Sequence, residues 1–575
     1  MTPSKTNLSK ICVSPSDTIK KVLVKMTLNK PQETLLPAGI VLVVDKNQKL
    51  LGIATDGDIR RALTGRAALN SPISKIMNTK PFLVIGPKSN TEILSLAVEK
   101  IRKENWHKDR LNKIIVVNNN KQIIDLVSFY DIWQKSDVRF KQIGVVGLGY
   151  VGLTLALTLA DLGFKIRGFD SSSAVRKSLS KGKPHFFEDG LKELLKDHFN
   201  KNFRLVKNFS GVNNCDVYFV AVGTPLDKNN KPDLKYLKNA AEKLGKVLKR
   251  DDAIILRSTV PVGTTRNFIV PILEKESGLK AGEEFFVAFA PERTIEGKAL
   301  EELRNLPQVI GGLNQSSADL AANIFRHLTH STVLVDSLEE AEIVKLINNS
   351  YRDVTFSFAN EVSLICHRFG IDTHRVIEAA NRGYERSNVP LPSPGVGGAC
   401  LEKDPFIFIE SAKTKNQEPL LIRHARRVSE QMIDFVGDEI LGFLKNHKSD
   451  VGNSKVLIKG FAFKGQPVTS DTRGSSTIKL VQKLQKEGIK NIYGYDPAVK
   501  RSDITDHGVK HVSDLNGGFS GADAVVVMNN NPAFKDIDIR AMLKSTNKPT
   551  FLFDTWGLYK KEEVQKVKGI HYKRL

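Results

Sequence analysis

Four cysteines in 575 residues are few, and Cys12, Cys215, Cys366 and Cys400 stand far apart with no C-x-x-C spacing. That pattern excludes an ordinary cysteine zinc site and a secreted disulfide framework, so free thiols, a cytoplasmic chain and no metal are expected. Residues 1–17, MTPSKTNLSKICVSPSD, lack the apolar run of a signal peptide. Ile143–Ala160 holds 18 residues without a charge, but four of its first ten are glycine, so no membrane insertion is expected. No basic run exceeds two residues despite a net charge of +23, and acidic residues are interspersed. Such a diffuse excess steers small anions rather than gripping nucleic acid, and no nucleic-acid partner is expected. Composition is that of ordinary soluble protein, and the length allows roughly three to five domains.

What is present centres on Ile143–Asp170, IGVVGLGYVGLTLALTLADLGFKIRGFD. An apolar strand, Ile143–Val146, runs into Gly147-x-Gly149-x-x-Gly152, then a helical run over Leu153–Leu162 and a second strand, Lys165–Phe169. In such a unit one glycine makes the tight turn, one admits a pyrophosphate to the backbone, and one lets helix pack on strand. Gly147, Gly149 and Gly152, with Tyr150 and Val151 between them, form the expected dinucleotide loop at a helix N-terminus, where anions are favoured. Asp170 falls 23 residues after Gly147, where a carboxylate binds ribose hydroxyls and repels a 2′-phosphate. NAD is therefore favoured over NADP.

Upstream, residues 39–64 and 113–136 give one order twice: strand, polar turn, strand, then hydroxyl-x-x-Asp opening a helix. Thr55 and Asp58 recur as Ser128 and Asp131, offset by 73 residues, which marks a duplicated module. Helix capping alone accounts for either copy taken singly. Residues 5–135 resemble a tandem cystathionine-β-synthase-type (CBS) pair. The resemblance implies that Asp58 and Asp131 contact the ribose of an adenine nucleotide, with Thr55 and Ser128 near its phosphates, in a regulatory role. Pairs of this kind that only mediate dimer contacts are the alternative. Ser136–Lys141 reads as a short linker.

Beyond Asp170 the alternation continues through Asp216–Val222 and Ala253–Leu256, ending in Gly223-Thr224-Pro225 and Ser258-Thr259. Strands spaced by helices imply a parallel sheet with ligands at the carboxyl ends, so Thr224, Pro225 and Thr259 are expected to face the cofactor. Glu284–Phe289 leads to a loop carrying Glu292, Arg293 and Glu296, and Val309–Gly312 reads as the sheet's last strand. From Ser337 to Gly370 the spacing is helical, and Lys345 and Asn349, four apart, share a face. Residues 392–404, PSPGVGGACLEKD, place Cys400 after a glycine loop and before Lys403 and Asp404. A lone cysteine is commonly a small buried hydrophobe, but this setting favours exposure and thiolate. A second βαβ array begins at Lys455–Ile458 without the glycine triplet, so no second NAD is expected. There Lys464 and Arg473 offer cations for a diphosphate, and Phe461 is expected to line the pocket.

Residues 141–575 resemble the UDP-glucose/GDP-mannose dehydrogenase family of nucleotide-sugar dehydrogenases. The motifs, in order, are GLGYVG (147–152), VGTP (222–225), STVPVGTT (258–265), PERTIEG (291–297), KLINN (345–349), GVGGACLEKD (395–404) and GFAFKGQPVTSDTRGSS (460–476). PER, YRD at 351–353 and AAN at 379–381 resemble the acetamido-sugar branch, which oxidises UDP-N-acetylmannosamine or UDP-N-acetylglucosamine, although its usual GGHC is GGAC here. The implied architecture is α/β. A CBS (Bateman-type) pair over 1–138 precedes an NAD-binding Rossmann domain over 141–336. A helical dimerisation domain with the reactive loop covers 337–440, and a UDP-sugar-binding Rossmann-like domain covers 441–575.

The resemblance implies four-electron oxidation of a sugar C6 alcohol to the carboxylate by two NAD⁺, through a Cys400 thiohemiacetal and thioester. Lys345 and Asn349 match residues that stabilise oxyanions, and Asp404 matches one that activates water with Thr259. Glu292 matches a carboxylate near the sugar, and Glu296 stands one helical turn later. Arg293, Gly397, Gly398, Phe461, Lys464 and Arg473 fall at substrate-binding positions, and Arg386 resembles an arginine that reaches a neighbour's site in family dimers. Three rivals stand beside this reading: the same chemistry on UDP-glucose or GDP-mannose, a two-electron hydroxyacid dehydrogenase needing no cysteine, and a non-catalytic nucleotide sensor.

Overall fold

The computed structural model describes residues 8–28, 39–65, 67–88, 92–93, 96, 113–128 and 141–575. The chain forms two compact units, Met1–Val138 and Arg139–Leu575.

In the first unit, β1 (Cys12–Val13), α1 (Ile19–Leu28), β2 (Ile40–Val44), β3 (Leu50–Thr55) and α2 (Asp56–Thr64) precede β4 (Leu83–Ile85), β5 (Lys113–Val117) and β6 (Ile123–Ser128). They build two three-stranded sheets, β1-β2-β3 and β4-β5-β6. The two hairpins keep one register at the 73-residue offset. Ile40 faces Thr55 as Lys113 faces Ser128, and the pairing slips at Val43/Val44 as at Val116/Val117. A shift repeated at the same place is the duplication written in backbone geometry. Lys49 bridges Gln122, its own counterpart, so the hairpins meet about a local twofold. Ile40, Leu42 and Leu50 of one hairpin share a core with Ile115, Val117 and Leu126 of the other.

The second unit opens with β7 (Gln142–Val146), α3 (Tyr150–Asp161), β8 (Lys165–Phe169), β9 (Phe203–Leu205), β10 (Val217–Val220), β11 (Ala253–Leu256) and β12 (Phe286–Phe289). β13 (Gln308–Gly312) and β14 (Thr332–Val335) extend one eight-stranded sheet, ordered β14-β13-β12-β11-β10-β7-β8-β9. Strand order reverses between β7 and β10, the point where such sheets bind ligands at their carboxyl ends. Val309–Gly312 lies in β13 and is not the last strand. β14 follows it at the edge, and with Val333 and Leu334 exposed it carries no buried-strand pattern to read.

α4 (Leu338–Phe369) begins where Ser337 Oγ accepts the Glu340 amide and ends at Gly370, whose φ of +68° a side chain would resist. α5 (Thr373–Asn381), the reactive loop, α6 (Asp404–Lys413) and α7 (Leu420–His447) follow. The domain boundary expected at 440/441 falls inside α7. Its Val436, Ile440 and Leu444 pack in one core with Val456 and Ile458, so the helix continues until that face is covered. β15 (Lys455–Lys459), α8 (Ser476–Lys486), β16 (Asn491–Tyr495), β17 (Lys510–His511), β18 (Ala524–Val527), β19 (Thr550–Asp554) and β20 (Ile570–Arg574) complete a parallel six-stranded sheet, β17-β16-β15-β18-β19-β20.

Candidate active site

The loop from β7 to α3 is shaped by its glycines. A Cβ on Gly152 would lie 1.8 Å from the Gly147 carbonyl oxygen, so only glycine lets the helix start this close to the strand. Gly149, by contrast, faces open space, with nothing within 4 Å of where a Cβ would be. It caps α3 without any side-chain hydrogen bond, leaving first-turn amides for an anion. Asp170 follows β8 directly, with Oδ2 accepting the Leu148 amide at 2.8 Å and Oδ1 the Ser172 amide at 2.8 Å. The half-buried carboxylate thus stands at the edge of an open phosphate cradle, and the residues fit a dinucleotide. Thr224 Oγ1 donates to the Thr259 carbonyl at 2.6 Å, tying together the loops after β10 and β11.

Tyr150 does more than span the glycines. Its hydroxyl donates to the buried Glu188, and Gly297 N donates to that hydroxyl at 3.1 Å and to Glu188 Oε2 at 2.7 Å. Tyr150 therefore links the dinucleotide loop to the loop carrying Glu292 and Glu296. Burial against Glu188 pushes the phenol far above its usual range. Val151 follows in the first turn of α3.

The reactive loop brings four of the expected residues together. Asn349 Nδ2 donates to Asp404 Oδ2 at 2.5 Å, and Lys403 Nζ lies 2.8 Å from Asp404 Oδ1 and 3.4 Å from Thr224 Oγ1. Lys345, one turn before Asn349 on the buried face of α4, has no hydrogen-bond partner among the described residues. Its charge acts on both Cys400 and Glu292. Cys400 lies one turn before α6, its carbonyl accepting the Asp404 amide at 2.8 Å.

Cys400 is exposed as a residue, yet protein atoms crowd its thiol. That desolvation pushes its pKa above the ordinary thiol value, Lys345 and Lys403 pull it down, and Asp404 pushes it up. The exposure expected from sequence is present. The resting thiolate is not favoured, because desolvation outweighs the two lysines.

Gly397 and Gly398 earn their place by close approach. A Cβ on Gly397 would lie 2.4 Å from the Gly474 oxygen, and one on Gly398, at φ +100°, 2.6 Å from the Phe463 ring. A cleft of about 680 Å³ opens beside them, lined by Thr224, Pro225, Ala399, Lys403, Arg426 and Arg473 among others. Ala399 and Lys403, on either side of Cys400, line it, and Cys400 itself does not.

The carboxylates divide by environment. Glu292 is buried, with Oε2 2.5 Å from Arg257 Nη2 and Oε1 accepting the amides of Arg293 and Thr294 at 2.8 and 2.9 Å. Burial works to raise its pKa, but Arg257, those amides and Lys345 prevail and hold it below the usual range. Both oxygens are already occupied, an arrangement of support more than of proton transfer. Glu296 is the opposite case. Burial and Asp471 push it up to about 7, against Arg473 and Lys464. Thr469 Oγ1 donates to it at 3.4 Å, and Lys464 Nζ donates to its backbone carbonyl at 2.7 Å. Burial holds Lys464 down to about 8. Arg473 pairs with Asp471 at 2.6 Å and stays largely exposed.

Two expected contacts are absent from the cleft and one residue is elsewhere in the fold. Phe461 is wholly buried, its ring packed under Gly494 and its amide donating to Asp496 Oδ2 at 2.7 Å, so it has no surface to offer a ligand. The aromatic at the reactive loop is Phe463, two residues on. The Arg293 guanidinium donates to the Pro307 carbonyl. Arg386 is exposed, stacked on Tyr384 at 4.8 Å, and does not line the cleft of its own chain. In the first unit, Thr55 and Asp58 form a complete capping box on α2, with Arg61 Nη2 donating to Asp58 Oδ1 at 2.6 Å. Ser128 ends β6 as Thr55 ends β3, and Asp131 lies outside the described residues.

Sequence reasoning missed Glu188, Arg257 and Glu342. Glu342 is buried one turn before Lys345 on the same helix face, and its carboxylate accepts the Thr265 amide at 2.8 Å and hydroxyl at 2.6 Å. Burial pushes it up to about 7. Its i, i+3, i+7 spacing with Lys345 and Asn349 was the available signal. Among the described residues no helix is long and apolar enough to cross a membrane, and no cluster of His, Cys, Asp and Glu could hold a metal.

Comparison with known proteins gives three successive matches to the UDP-glucose/GDP-mannose dehydrogenase family: its NAD binding domain at residues 141–329, central domain at 339–431 and UDP binding domain at 457–561. A CBS domain matches residues 7–65. The chain is 33% identical over 405 residues to a UDP-N-acetyl-D-mannosamine dehydrogenase of Pyrococcus horikoshii, covering 70% of this chain and 93% of that one. Among solved structures, a UDP-D-ManNAc dehydrogenase of Pyrococcus horikoshii superposes with a TM-score of 0.68 at 32% identity, covering 75% of this chain and 98% of that one. A UDP-glucose dehydrogenase of Pyrobaculum islandicum superposes with 0.66 at 28% identity, covering 75% and 97%.

Proposed function

Since the chain belongs to the UDP-glucose/GDP-mannose dehydrogenase family and is an NAD-dependent dehydrogenase, we propose that it oxidises the C6 alcohol of a UDP-N-acetyl-hexosamine to the uronic acid, with Cys400 as nucleophile. The observation that carries the reading is the convergence of Cys400, Lys345, Asn349 and Asp404 beside loops that end β10 and β11. The acetamido sugar is favoured over glucose by PER, YRD and AAN and by relatives of 31–33% identity named for N-acetylmannosamine. Ala399, where that branch has His, keeps UDP-glucose and GDP-mannose as the alternative.

NAD⁺, held by Gly147–Gly152, Asp170, Thr224, Pro225 and Thr259, would accept hydride twice. The protein's own residues do the rest. Lys345, with an ammonium not hydrogen-bonded among the described residues, stabilises the alkoxide of the alcohol and the oxyanion that forms when Cys400 adds to the aldehyde. Asn349 adds an amide donor. Covalent capture keeps the aldehyde in the site and turns the second oxidation into thioester formation. Asp404, fixed by Asn349 and Lys403, orients the hydrolytic water with Thr259. Glu292 holds its loop in shape, and Glu296, near neutrality, exchanges a proton near the sugar. Lys464 and Arg473 suit the diphosphate.

α4 leaves Ile347, Tyr351, Phe358, Ile365 and Phe369 exposed at intervals of four and seven residues, an apolar stripe suited to a second copy. Arg386 would serve the neighbour's site in that homodimer. The first unit would bind an adenine nucleotide through Thr55, Asp58, Ser128 and Asp131 and shift activity. The enzyme would act in the cytoplasm on precursors of surface polysaccharide. The test is NADH formation over a panel of UDP- and GDP-sugars, with and without AMP and ATP. UDP-N-acetylmannosamine or UDP-N-acetylglucosamine should give acid with about two NADH per sugar. Cys400→Ser should stop acid formation, and acid from Cys400→Ser at the normal rate would overturn the cysteine's role.

A further inference from the structure

The reactive loop is fastened at several points. Asn360 Oδ1 accepts the Ser393 amide at 2.8 Å, Ser429 Oγ accepts the Val396 amide at 2.7 Å, and the Gly398 amide donates to Gly474 O at 3.1 Å. All of these lie before Cys400. One side chain fastens both sides of it. Arg426, on α7, donates from Nη1 to the Leu401 carbonyl at 3.1 Å and from Nη2 to the Val396 carbonyl at 3.4 Å.

Arg426 is itself buried, with a side chain 8% exposed, and lines the same cleft as Ala399 and Lys403, which flank Cys400. Its counter-charge is Asp353 of α4, fully buried, with Oδ1 2.7 Å from Nη2. Asp353 makes no well-formed hydrogen bond, and Arg426 Nε has no partner among the described residues. A brace built only to join two helices would close as a parallel two-point fork between guanidinium and carboxylate. Here the two fork nitrogens reach two loop carbonyls, and the carboxylate neutralises the guanidinium from beside Nη2 alone.

We propose that Arg426, charge-balanced by Asp353, is the positioning residue of the reactive loop, setting Cys400 against Lys345 and Asn349 by holding the carbonyls of Val396 and Leu401. It touches no reacting atom, and the proposal rests on Cys400 being the nucleophile. It also gives YRD at 351–353 a physical content: the Asp of that motif supplies the buried counter-charge. Lysine cannot replace the arginine fully, because one ammonium cannot reach two carbonyls and a carboxylate in the geometry of a planar fork.

The experiment uses the full chain with Arg426→Gln, Arg426→Lys and Asp353→Asn. Three readouts are taken: kcat and KM for NAD and sugar nucleotide, the rate of iodoacetamide alkylation at Cys400 with Cys12 as internal reference, and Tm. Arg426→Gln should lower kcat about 30-fold with the KM for NAD changed less than about threefold, as expected when reacting atoms are displaced without loss of the cofactor site. Its Cys400 alkylation rate should change by more than about threefold while that of Cys12 is constant. Arg426→Lys should recover part of the kcat, and Asp353→Asn should fall between.

If Arg426→Gln does not fold, Arg426→Lys decides: kcat and Cys400 alkylation within twofold of wild type overturn the proposal. So does any variant whose kcat falls only in proportion to its unfolded fraction, since that is the mark of a brace. Turnover by Cys400→Ser would sink the nucleophile itself, a separate failure.

Discussion

The second unit holds two sheets of one strand order, β9-β8-β7-β10-β11-β12 and β17-β16-β15-β18-β19-β20, yet the loop after the first strand differs between them. After β7, helix α3 begins four residues on, its amides uncapped and Gly149 facing open space. After β15, the loop runs from Gly460 to Ser475 before α8 begins, and Ser475 Oγ already takes the Thr477 amide. Asp496 Oδ2, at the end of β16 as Asp170 is at the end of β8, accepts Phe461 N at 2.7 Å and Ala462 N at 3.0 Å. Asp170 takes one such amide in the first half, that of Leu148, where Asp496 takes two, and Phe461 fills the space beside them. The freed length of loop reaches the reactive loop instead, bringing Phe463, Lys464, Thr469 and Arg473 to Cys400 and Glu296. Topology alone therefore does not confer a dinucleotide site; the first few residues of one loop decide it.

The glycines of the two halves break this comparison most sharply. Gly152→Ala forces a Cβ to 1.8 Å from Gly147 O. It should cost about 3 kcal/mol, lowering Tm by about 6 °C, and abolish saturation by NAD. Gly460→Ala, at φ +94° with Asn529 2.6 Å from the added Cβ, should also lower Tm but leave the KM for NAD of the folded fraction unchanged. Thermal melts with and without NAD read both. Equal NAD dependence in the two variants would erase the distinction between the halves.

Glu296 is where the halves meet, and pH sharpens the comparison there. Its pKa is raised from 4.5 to about 7 by burial and Asp471. The folded protein thus holds this proton more tightly than the unfolded chain does. The stability it contributes is present below about pH 4.5 and lost as pH rises through about 7, worth at most about 3 kcal/mol. Glu342, also raised to about 7, adds in the same direction. Urea midpoints at pH 5 and pH 8 should differ less for Glu296→Gln than for wild type. Parallel losses in both proteins would mean that Glu296 ionises freely.

Gly149→Ala is the complementary probe, since its Cβ meets no protein atom. Tm should hold while the KM for NAD rises about tenfold, a loss of about 1.4 kcal/mol of binding. That loop was legible because each of its residues answers a local demand: turn, approach, packing. The same holds for the ends of α4, where Ser337 and Gly370 are cap residues readable one at a time. Long-range packing was not legible. Nothing local distinguishes Phe461, buried under Gly494, from Phe463 at the reactive loop. Nor does periodicity reveal that Asp353 and Arg426, 73 positions apart in sequence, share one buried site. The boundary at 440/441 was set inside α7 for the same reason, because the helix's final turns are specified by strands that come after it.

The smallest effect belongs to the first unit, where the two modules repeat one another. Thr55 closes α2 with its hydroxyl and amide both bonded to Asp58, at 2.7 and 2.9 Å to Oδ2, while Arg61 holds Oδ1. Removing the hydroxyl in Thr55→Ala should cost about 1 kcal/mol of helix stability, seen as faster amide exchange over residues 57–60 with activity of the second unit unchanged in the absence of nucleotide. The same geometry constrains any ligand. A ribose reaching Asp58 must compete with Arg61 for Oδ1, because Oδ2 is occupied by the cap. On the proposal that the first unit binds an adenine nucleotide, Arg61→Ala should therefore tighten that binding while leaving the capping box intact. Weaker binding in Arg61→Ala would instead mean that the guanidinium, not the carboxylate, faces the nucleotide.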